Sequence, residues 1–375
     1  MTSNGGMITP NGASTCARLV EQVRANVAEL LDEFATFADD AGTGGRTGAD
    51  VFAKRLRDYV MRFGSMRRTR VAGHAFDAFL GGDDAGLRAL GQACAPLEMF
   101  HAAALIHDDI IDESPTRRHQ PAFHMDWSGI GYGAELSPIS SARLGVAAGI
   151  LAGDALLVLC ARAIDRVAHP AKERVADFFQ QMQLRTVVGE FQDSVLELAG
   201  PGVDRAAITE MSVGKTAWYT VIAPMILAAH CAGVDDTRIP LLIEAGSAYG
   251  EAFQLLDDVN EIIGDPAVIG KSSLDDMKAG KATLLHHIVS THATADQRAV
   301  LDATYGRGDC TDADLDQYRR LVDAHSARVF GDLRALMDKA RSLLREAGFR
   351  HHSISRIEDE LAPYQLLPAL LNESA

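Results

Sequence analysis

Residues 87–112 read LRALGQACAPLEMFHAAALIHDDIID. Apolar side chains return at spacings of three and four until they cover nearly the whole circumference, the pattern of a helix buried inside a bundle. The run ends in carboxylates, Asp108, Asp109 and Asp112. The same arrangement recurs in Phe253-Gln254-Leu255-Leu256-Asp257-Asp258-Val259-Asn260-Glu261. Helical spacing also marks residues 51–63, 141–167, 171–198, 208–231, 240–263 and 315–347, and strand signals are nearly absent. The expected fold is all-α, a single large helical bundle.

Apolar helices do not carry carboxylate clusters cheaply. An ionised carboxylate removed from water costs several kcal/mol unless it is paired or coordinates a metal. Residues four apart share a helix face, which sets Asp108 over Asp112 and Asp257 over Glu261. Two such faces opposed across a cavity would hold several divalent ions, and oxygen-only donors select hard cations such as Mg²⁺. A single acidic run is as readily a solvated helix face. The second cluster, and the basic residues after each, argue against that: Arg117-Arg118 after the first, Gly270-Lys271 and Gly280-Lys281 after the second. Carboxylates, Arg and Lys together are the parts that hold a diphosphate.

The chain has 375 residues, 47% hydrophobic and 23% charged, and a formal net charge of -15. That acidity argues against a nucleic-acid partner, whose binding domains carry basic patches. The five cysteines, Cys16, Cys94, Cys160, Cys231 and Cys310, show no CxxC spacing, which reads as thiols in a reducing, cytoplasmic compartment. The apolar runs 144–152 and 155–161 are separated by Gly153 and Asp154, so no segment reads as a good membrane span. Residues 1–48 read as a disordered or flexible segment with partial helix, and 49–375 as the folded domain. Residues 115–138, rich in Gly and Pro directly after the first cluster, read as a loop of the kind that forms lids.

In this order the motifs resemble those of the trans-isoprenyl diphosphate synthase, or polyprenyl synthetase, family over roughly residues 51–350. Asp108-Asp109-Ile110-Ile111-Asp112 is similar to the first DDxxD motif, followed by Arg117-Arg118, Pro121 and His124. Gly189-Glu190-Phe191-Gln192-Asp193 resembles the GQxxD segment, and Lys215-Thr216 the central KT pair. Asp257 to Glu261 resembles the second aspartate motif, and Gly270-Lys271, Asp276 and Gly280-Lys281-Ala282-Thr283 follow GKxxxxDxxxGKxT. Two places depart. Where the family shows GGKRLRP this chain has Ser65-Met66-Arg67-Arg68-Thr69-Arg70-Val71, and Glu261 replaces the last aspartate of the second motif.

The resemblance implies an isoprenoid-synthase bundle with a central active-site cavity. It implies a Mg-dependent prenyltransferase, a homodimer, joining isopentenyl diphosphate to an allylic diphosphate (dimethylallyl, geranyl or farnesyl). Asp108, Asp112, Asp257 and Glu261 would hold roughly three Mg²⁺ ions, with Mn²⁺ able to use the same oxygen donors. Asp109 and Asp258 would assist them as hydrogen-bond acceptors. Arg117, Lys215, Lys271 and Lys281 would hold the allylic diphosphate; Arg67, Arg68, His101 and Arg118 would hold isopentenyl diphosphate. Thr216 accompanies Lys215. His101 lies about two turns before Asp108 on the same helix face. Lys215 lies between apolar stretches, where an unpaired ammonium is costly. Gln254 reads equally as a pocket hydrogen-bonder or a core amide.

Ala103, about 7.5 Å along the helix from Asp108, and Ala104 are small and leave room for a growing chain, with Phe100 and Met99 as its floor. The alternative floor comes from another helix, through Leu156 or Leu159. An open pocket favours geranylgeranyl diphosphate over farnesyl, with a product of C25 or more also open. A class I terpene cyclase is the next reading. It needs no second diphosphate site and carries a different second metal motif. A regulatory subunit should have lost the carboxylates.

Overall fold

The computed structural model describes residues 14–41, 48–79, 83–125, 127, 136–200, 202–263 and 275–361. These residues are almost entirely helical. They form two compact units, residues 1–178 with 227–234 and residues 179–226 with 235–375.

The first unit holds helices α1 (Thr15–Ala41), α2 (Ala49–Met61), α3 (Arg67–Ala78), α4 (Asp84–Ile111) and α5 (Pro138–Asp165), and a hairpin of β1 (Thr116–Arg117) and β2 (Gln120–Pro121). It also takes in the beginning of α6 (Lys172–Ala199) and the end of α8 (Ala223–Cys231). The quoted stretch is α4, started by Asp83, whose side chain accepts from Gly86 N. Helices α1, α3 and α5 pack around it. Within 1–48, α1 is a full amphipathic helix: Leu19, Val23, Val27, Leu30 and Leu31 are buried at helical spacing.

Glycines let α5 approach α4. A Cβ on Gly149 would meet Ile110 Cδ1 at 2.5 Å, and one on Gly153 would meet His107 Nε2 at 1.9 Å. His107, beside the first carboxylates, also contacts the Ile150 carbonyl at 3.2 Å.

The apolar runs flanking Gly153 and Asp154 belong to one continuous helix, α5, which corrects the reading that they are broken apart. By length and composition α4 and α5 are each apolar enough to cross a membrane. In α4, 72% of the apolar window is buried against neighbours; in α5, 44% is. Ile139, Val146, Ile150, Leu151 and Val158 of α5 remain exposed.

The second unit contains most of α6, α7 (Arg205–Ser212), a π-helical segment (Val213–Ile222), a 3₁₀ turn (Asp236–Arg238) and α9 (Ile239–Ile263). It continues through α10 (Asp275–Ala279), α11 (Leu284–His292), α12 (Ala295–Thr304), α13 (Asp312–Ala324), α14 (Ser326–Glu346) and α15 (His351–Leu361). The 315–347 pattern is thus two helices, separated at His325. Helix α9 is the hub, packed against the π segment, α11 and α14. Tyr249 of α9 donates to Glu358 of α15 at 2.7 Å, and Arg341 of α14 donates to the same carboxylate at 2.7 Å. Those bonds tie the last helix to the hub.

Under α9 lies a buried ring stack. His286 is 3.8 Å from Tyr305 between ring centroids, and Tyr305 is 5.2 Å from Tyr318. Burial holds the His286 pKa down to about 4. An unfolded histidine titrates near 6.5, so between those values the unfolded chain takes up a proton that the folded one refuses. Acidification through that window therefore removes stability, by about 2 kcal/mol at pH 5. Urea denaturation at pH 7 and pH 5 should show His286→Phe, which keeps a stacking ring, losing about 2 kcal/mol less than the parent. Equal losses would show that the imidazole is not held neutral.

Candidate active site

The first acidic cluster occupies the last turn of α4, with Asp112 as the C-cap. The helix dipole places negative potential there, so three carboxylates make the demand for a cation larger. Arg117 meets part of it. From β1, its Nε donates to Asp109 Oδ1 at 2.7 Å and its Nη2 to Asp108 Oδ2 at 2.7 Å. The Asp109 side chain is 0% exposed and that of Asp108 is 17%. Burial raises the Asp109 pKa, and Arg117 opposes this only in part. Burial also works against the Arg117 charge, but the Asp109 hydrogen bond and the two aspartate charges hold its pKa above the usual value. Asp109 Oδ2 is buried with no hydrogen-bond partner among the described residues.

The hairpin that presents Arg117 turns through Arg118 and His119, at φ 53° and 60°. A two-residue hairpin turn of this kind favours Asn and Gly. Arg and His in these positions are strained, as residues at functional sites often are. The turn aims Arg118 at His101, with Nη2 3.5 Å from Nε2.

Beside it opens a cavity of about 250 Å³, lined by Tyr59, Arg62, Phe63, Glu98, His101, Leu105, Arg117 and Arg118 among others. Desolvation, then the charges of Arg68, Arg118, Arg117 and Arg67, pull the His101 pKa well below its usual range. The imidazole is therefore neutral in a field of four guanidiniums. Burial and the Asp109 charge push the Tyr59 hydroxyl up to about 12. Arg67 and Arg68 are the first residues of α3, whose N-cap, Met66, sits at φ 51° and offers no capping side chain. Buried Glu98 caps that helix instead, accepting from Thr69 N at 3.2 Å and Thr69 Oγ1 at 2.6 Å. Met66 stands where the resembled motif has glycine, so the departure is one of backbone strain, with the Met66 side chain buried.

In the second unit, Lys215 and Thr216 lie in the π segment, a geometry that marks functional sites. Gly189 of α6 permits the contact, since a Cβ there would meet Lys215 N at 2.1 Å. Lys215 Nζ donates to Asp193 at 2.7 Å and Glu190 at 3.0 Å. A relay runs to α9: Thr216 Oγ1 donates to Gln254 Oε1 at 3.3 Å and Gln254 Nε2 to Asp258 Oδ1 at 3.0 Å. Gln254 thus connects the two motifs.

At the end of α9, Asp257 is exposed, Asp258 and Asn260 are buried and Glu261 is half-buried. Arg319 Nε donates to the Ile262 carbonyl at 2.7 Å, setting a cation on this negative helix end as well. Lys281 is half-buried, whereas Lys271 lies outside the described residues. Ala103, Phe100 and Met99 are buried; Ala104 keeps partial exposure on the Asp108 face. Among the described residues no three His, Cys, Asp or Glu side chains stand together as a ready cation site; at the first cluster Arg117 takes that place.

Sequence reasoning missed Glu98, Glu190, Asp193 and Arg319 as site residues. Glu190 and Asp193, at helical spacing within a quoted motif, carried a usable signal. The other two act through backbone groups of distant segments and carried none.

The chain belongs to the polyprenyl synthetase family, whose model matches residues 50–322, and is thus of the prenyltransferase class. It is 34% identical over 191 residues to the geranylgeranyl diphosphate synthase of Mycobacterium tuberculosis, 51% of this chain and about half, 49%, of that enzyme. It is 26% identical over 286 residues to the geranylgeranyl diphosphate synthase of Saccharolobus solfataricus, covering 73% of this chain and 79% of that one. Its fold matches the crystal structure of the Corynebacterium glutamicum geranylgeranyl pyrophosphate synthase complexed with isoprenyl diphosphate and magnesium. There the TM-score is 0.78 and the identity 27%, over 92% of this chain and 97% of that one.

Removing Arg117 leaves a buried carboxylate without its cation, which typically costs 3–5 kcal/mol. Arg117→Leu should lose about that much in urea denaturation, and Arg117→Leu with Asp109→Asn should recover most of it. Additive losses in the double variant would mean that the pair is not what balances Asp109.

Proposed function

We propose that the chain catalyses head-to-tail condensation of isopentenyl diphosphate with an allylic diphosphate, most simply yielding geranylgeranyl diphosphate. The observation that carries this reading is the guanidinium-lined cavity around neutral His101, directly beside the carboxylates of α4. Arg67, Arg68, Arg118 and His101 hold isopentenyl diphosphate, and Arg117, Lys215, Lys271 and Lys281 hold the allylic diphosphate. Asp108, Asp112, Asp257 and Glu261 hold divalent metal. These donors fit a hard cation: they are carboxylate oxygens at the negative ends of helices, and neighbouring Asp109 carries an orphaned buried oxygen. Mg²⁺ there would supply charge neutralisation for the departing diphosphate.

The protein's own share is fixed charge and dryness. Cationic donors already in place favour the developing negative charge without reorganisation, each tenfold in rate corresponding to 1.36 kcal/mol. Lys215, held by Glu190 and Asp193, keeps its ammonium oriented. Apolar side chains such as Leu105 exclude water from the allylic cation. In the cavity His101 stays neutral, so it accepts or donates a hydrogen bond without adding charge.

For product length, Ala104 is the open position. It shares the face of Asp108 one turn away, and buried Phe100 lies one turn further, where the Cys160 thiol donates to the Pro96 carbonyl. The exposed apolar stripe of α5 is the face we assign to a homodimer, and the five buried cysteines, all outside any disulfide, favour a reducing, cytoplasmic compartment.

With Mg²⁺, isopentenyl diphosphate and farnesyl diphosphate, mass analysis of the dephosphorylated product should give a dominant C20 alcohol. With geranyl diphosphate as the primer, Ala104→Phe should stop the product at C15. A C15 product from the parent chain given geranyl diphosphate would overturn the open floor. Hydrocarbon released from an allylic diphosphate alone would identify a terpene cyclase instead. Light scattering should return twice the chain mass of 40.2 kDa, and Leu151→Glu with Val158→Glu should halve it. A parent mass of one chain would remove the dimer, and recovery only with detergent would point to a membrane surface.

A further inference from the structure

The segment carrying Lys281 is held in place by Gly306 and Tyr305, which no motif contains. Gly280, at φ 69°, packs against Gly306, at φ 73°, so closely that a Cβ on Gly280 would meet Gly306 Cα at 2.7 Å. The backbone confirms the clamp: Gly306 N donates to the Met277 carbonyl at 2.8 Å, and Gly280 N to the same oxygen at 3.3 Å. Next to Gly306, Tyr305 donates its hydroxyl to the Lys281 carbonyl at 2.8 Å.

The Tyr305 ring is 7% exposed. Stacked on His286 and tilted against Tyr318, it has no freedom to follow a moving loop. The same ring lines a small cavity with Asp258, Glu261, Met277, Thr283 and Tyr318. A single buried side chain thus touches the Lys281 segment and faces the carboxylates of α9.

We propose that Tyr305 is a positioning residue for diphosphate binding, which fixes Lys281 through its backbone carbonyl relative to the carboxylate cluster of α9. This rests on the reading of Lys281 as a diphosphate ligand. The ring supplies a rigid anchor and the hydroxyl the connection, so removing only the hydroxyl should loosen Lys281 while leaving the core packed. A structural role alone would instead appear as lost stability with unchanged substrate constants.

The test compares Tyr305→Phe, Lys281→Ala and the double variant. The readouts are the dissociation constant of inorganic pyrophosphate with Mg²⁺, measured calorimetrically, and the KM values of both substrates. Tyr305→Phe should melt within a few degrees of the parent and weaken pyrophosphate binding about 5- to 10-fold. It should raise the KM of the allylic diphosphate similarly and leave that of isopentenyl diphosphate unchanged. In the double variant the loss should equal that of Lys281→Ala alone, because Tyr305 acts through Lys281. If Lys281→Ala weakens binding but Tyr305→Phe does not, or if the losses multiply, the inference is overturned and the ligand role of Lys281 stands. If Lys281→Ala changes nothing, the ligand reading itself fails, and this inference with it.

Discussion

Asp109 is a carboxylate with no exposed side-chain surface at the negative end of a 28-residue helix. Much of the first unit follows from that constraint. Arg117 must reach it, which fixes the hairpin, and the hairpin turns tightly enough to place Arg118 and His119 in left-handed conformations. That turn delivers Arg118 to the cavity wall. The same logic recurs on α9, where Arg319 takes the Ile262 carbonyl. Two helices therefore end in carboxylates where the dipole makes them least welcome; a cation of the same unit pairs with those of α4, and another takes a backbone carbonyl at the end of α9. An arrangement so unfavourable without positive charge is suited to capturing more of it.

Close backbone approach is the second organising factor. The Gly149 and Gly153 face brings α5 onto the helix of the first cluster, and Gly189 brings α6 onto the π segment. These contacts fix where His107 and Lys215 stand to within the tolerance of packed atoms rather than of solvated side chains. The hydrogen-bond relay from Thr216 through Gln254 to Asp258 then links the orientation of the KT pair to that of the second aspartate motif.

Much of this was legible in the sequence. The all-α fold follows from three-and-four spacing, and the carboxylates, Arg117-Arg118 and Lys215 stood out because charge in an apolar helix demands an explanation. What escaped depended on three dimensions. Glu98 caps α3 across 29 residues, and nothing local marks it. Helix α1 had a readable apolar stripe from Leu19 to Leu31, obscured by the Gly- and Thr-rich residues on either side. The π segment reads as ordinary helix because its apolar spacing stays within the helical range. Met66 read only as a departure from the motif's glycine, whereas its left-handed backbone shows a glycine-like conformation kept despite strain.

Arg117 stands at the carboxylates that we propose hold the divalent metal. Calorimetric titration of Mg²⁺ into the protein with and without inorganic pyrophosphate addresses this directly. Because Arg117 already balances Asp108 and Asp109, Mg²⁺ should bind the protein alone only in the millimolar range or weaker and tighten at least tenfold when pyrophosphate offers Arg117 another anion. Tight Mg²⁺ binding to the protein alone, unchanged by pyrophosphate, would show that Arg117 does not balance these carboxylates.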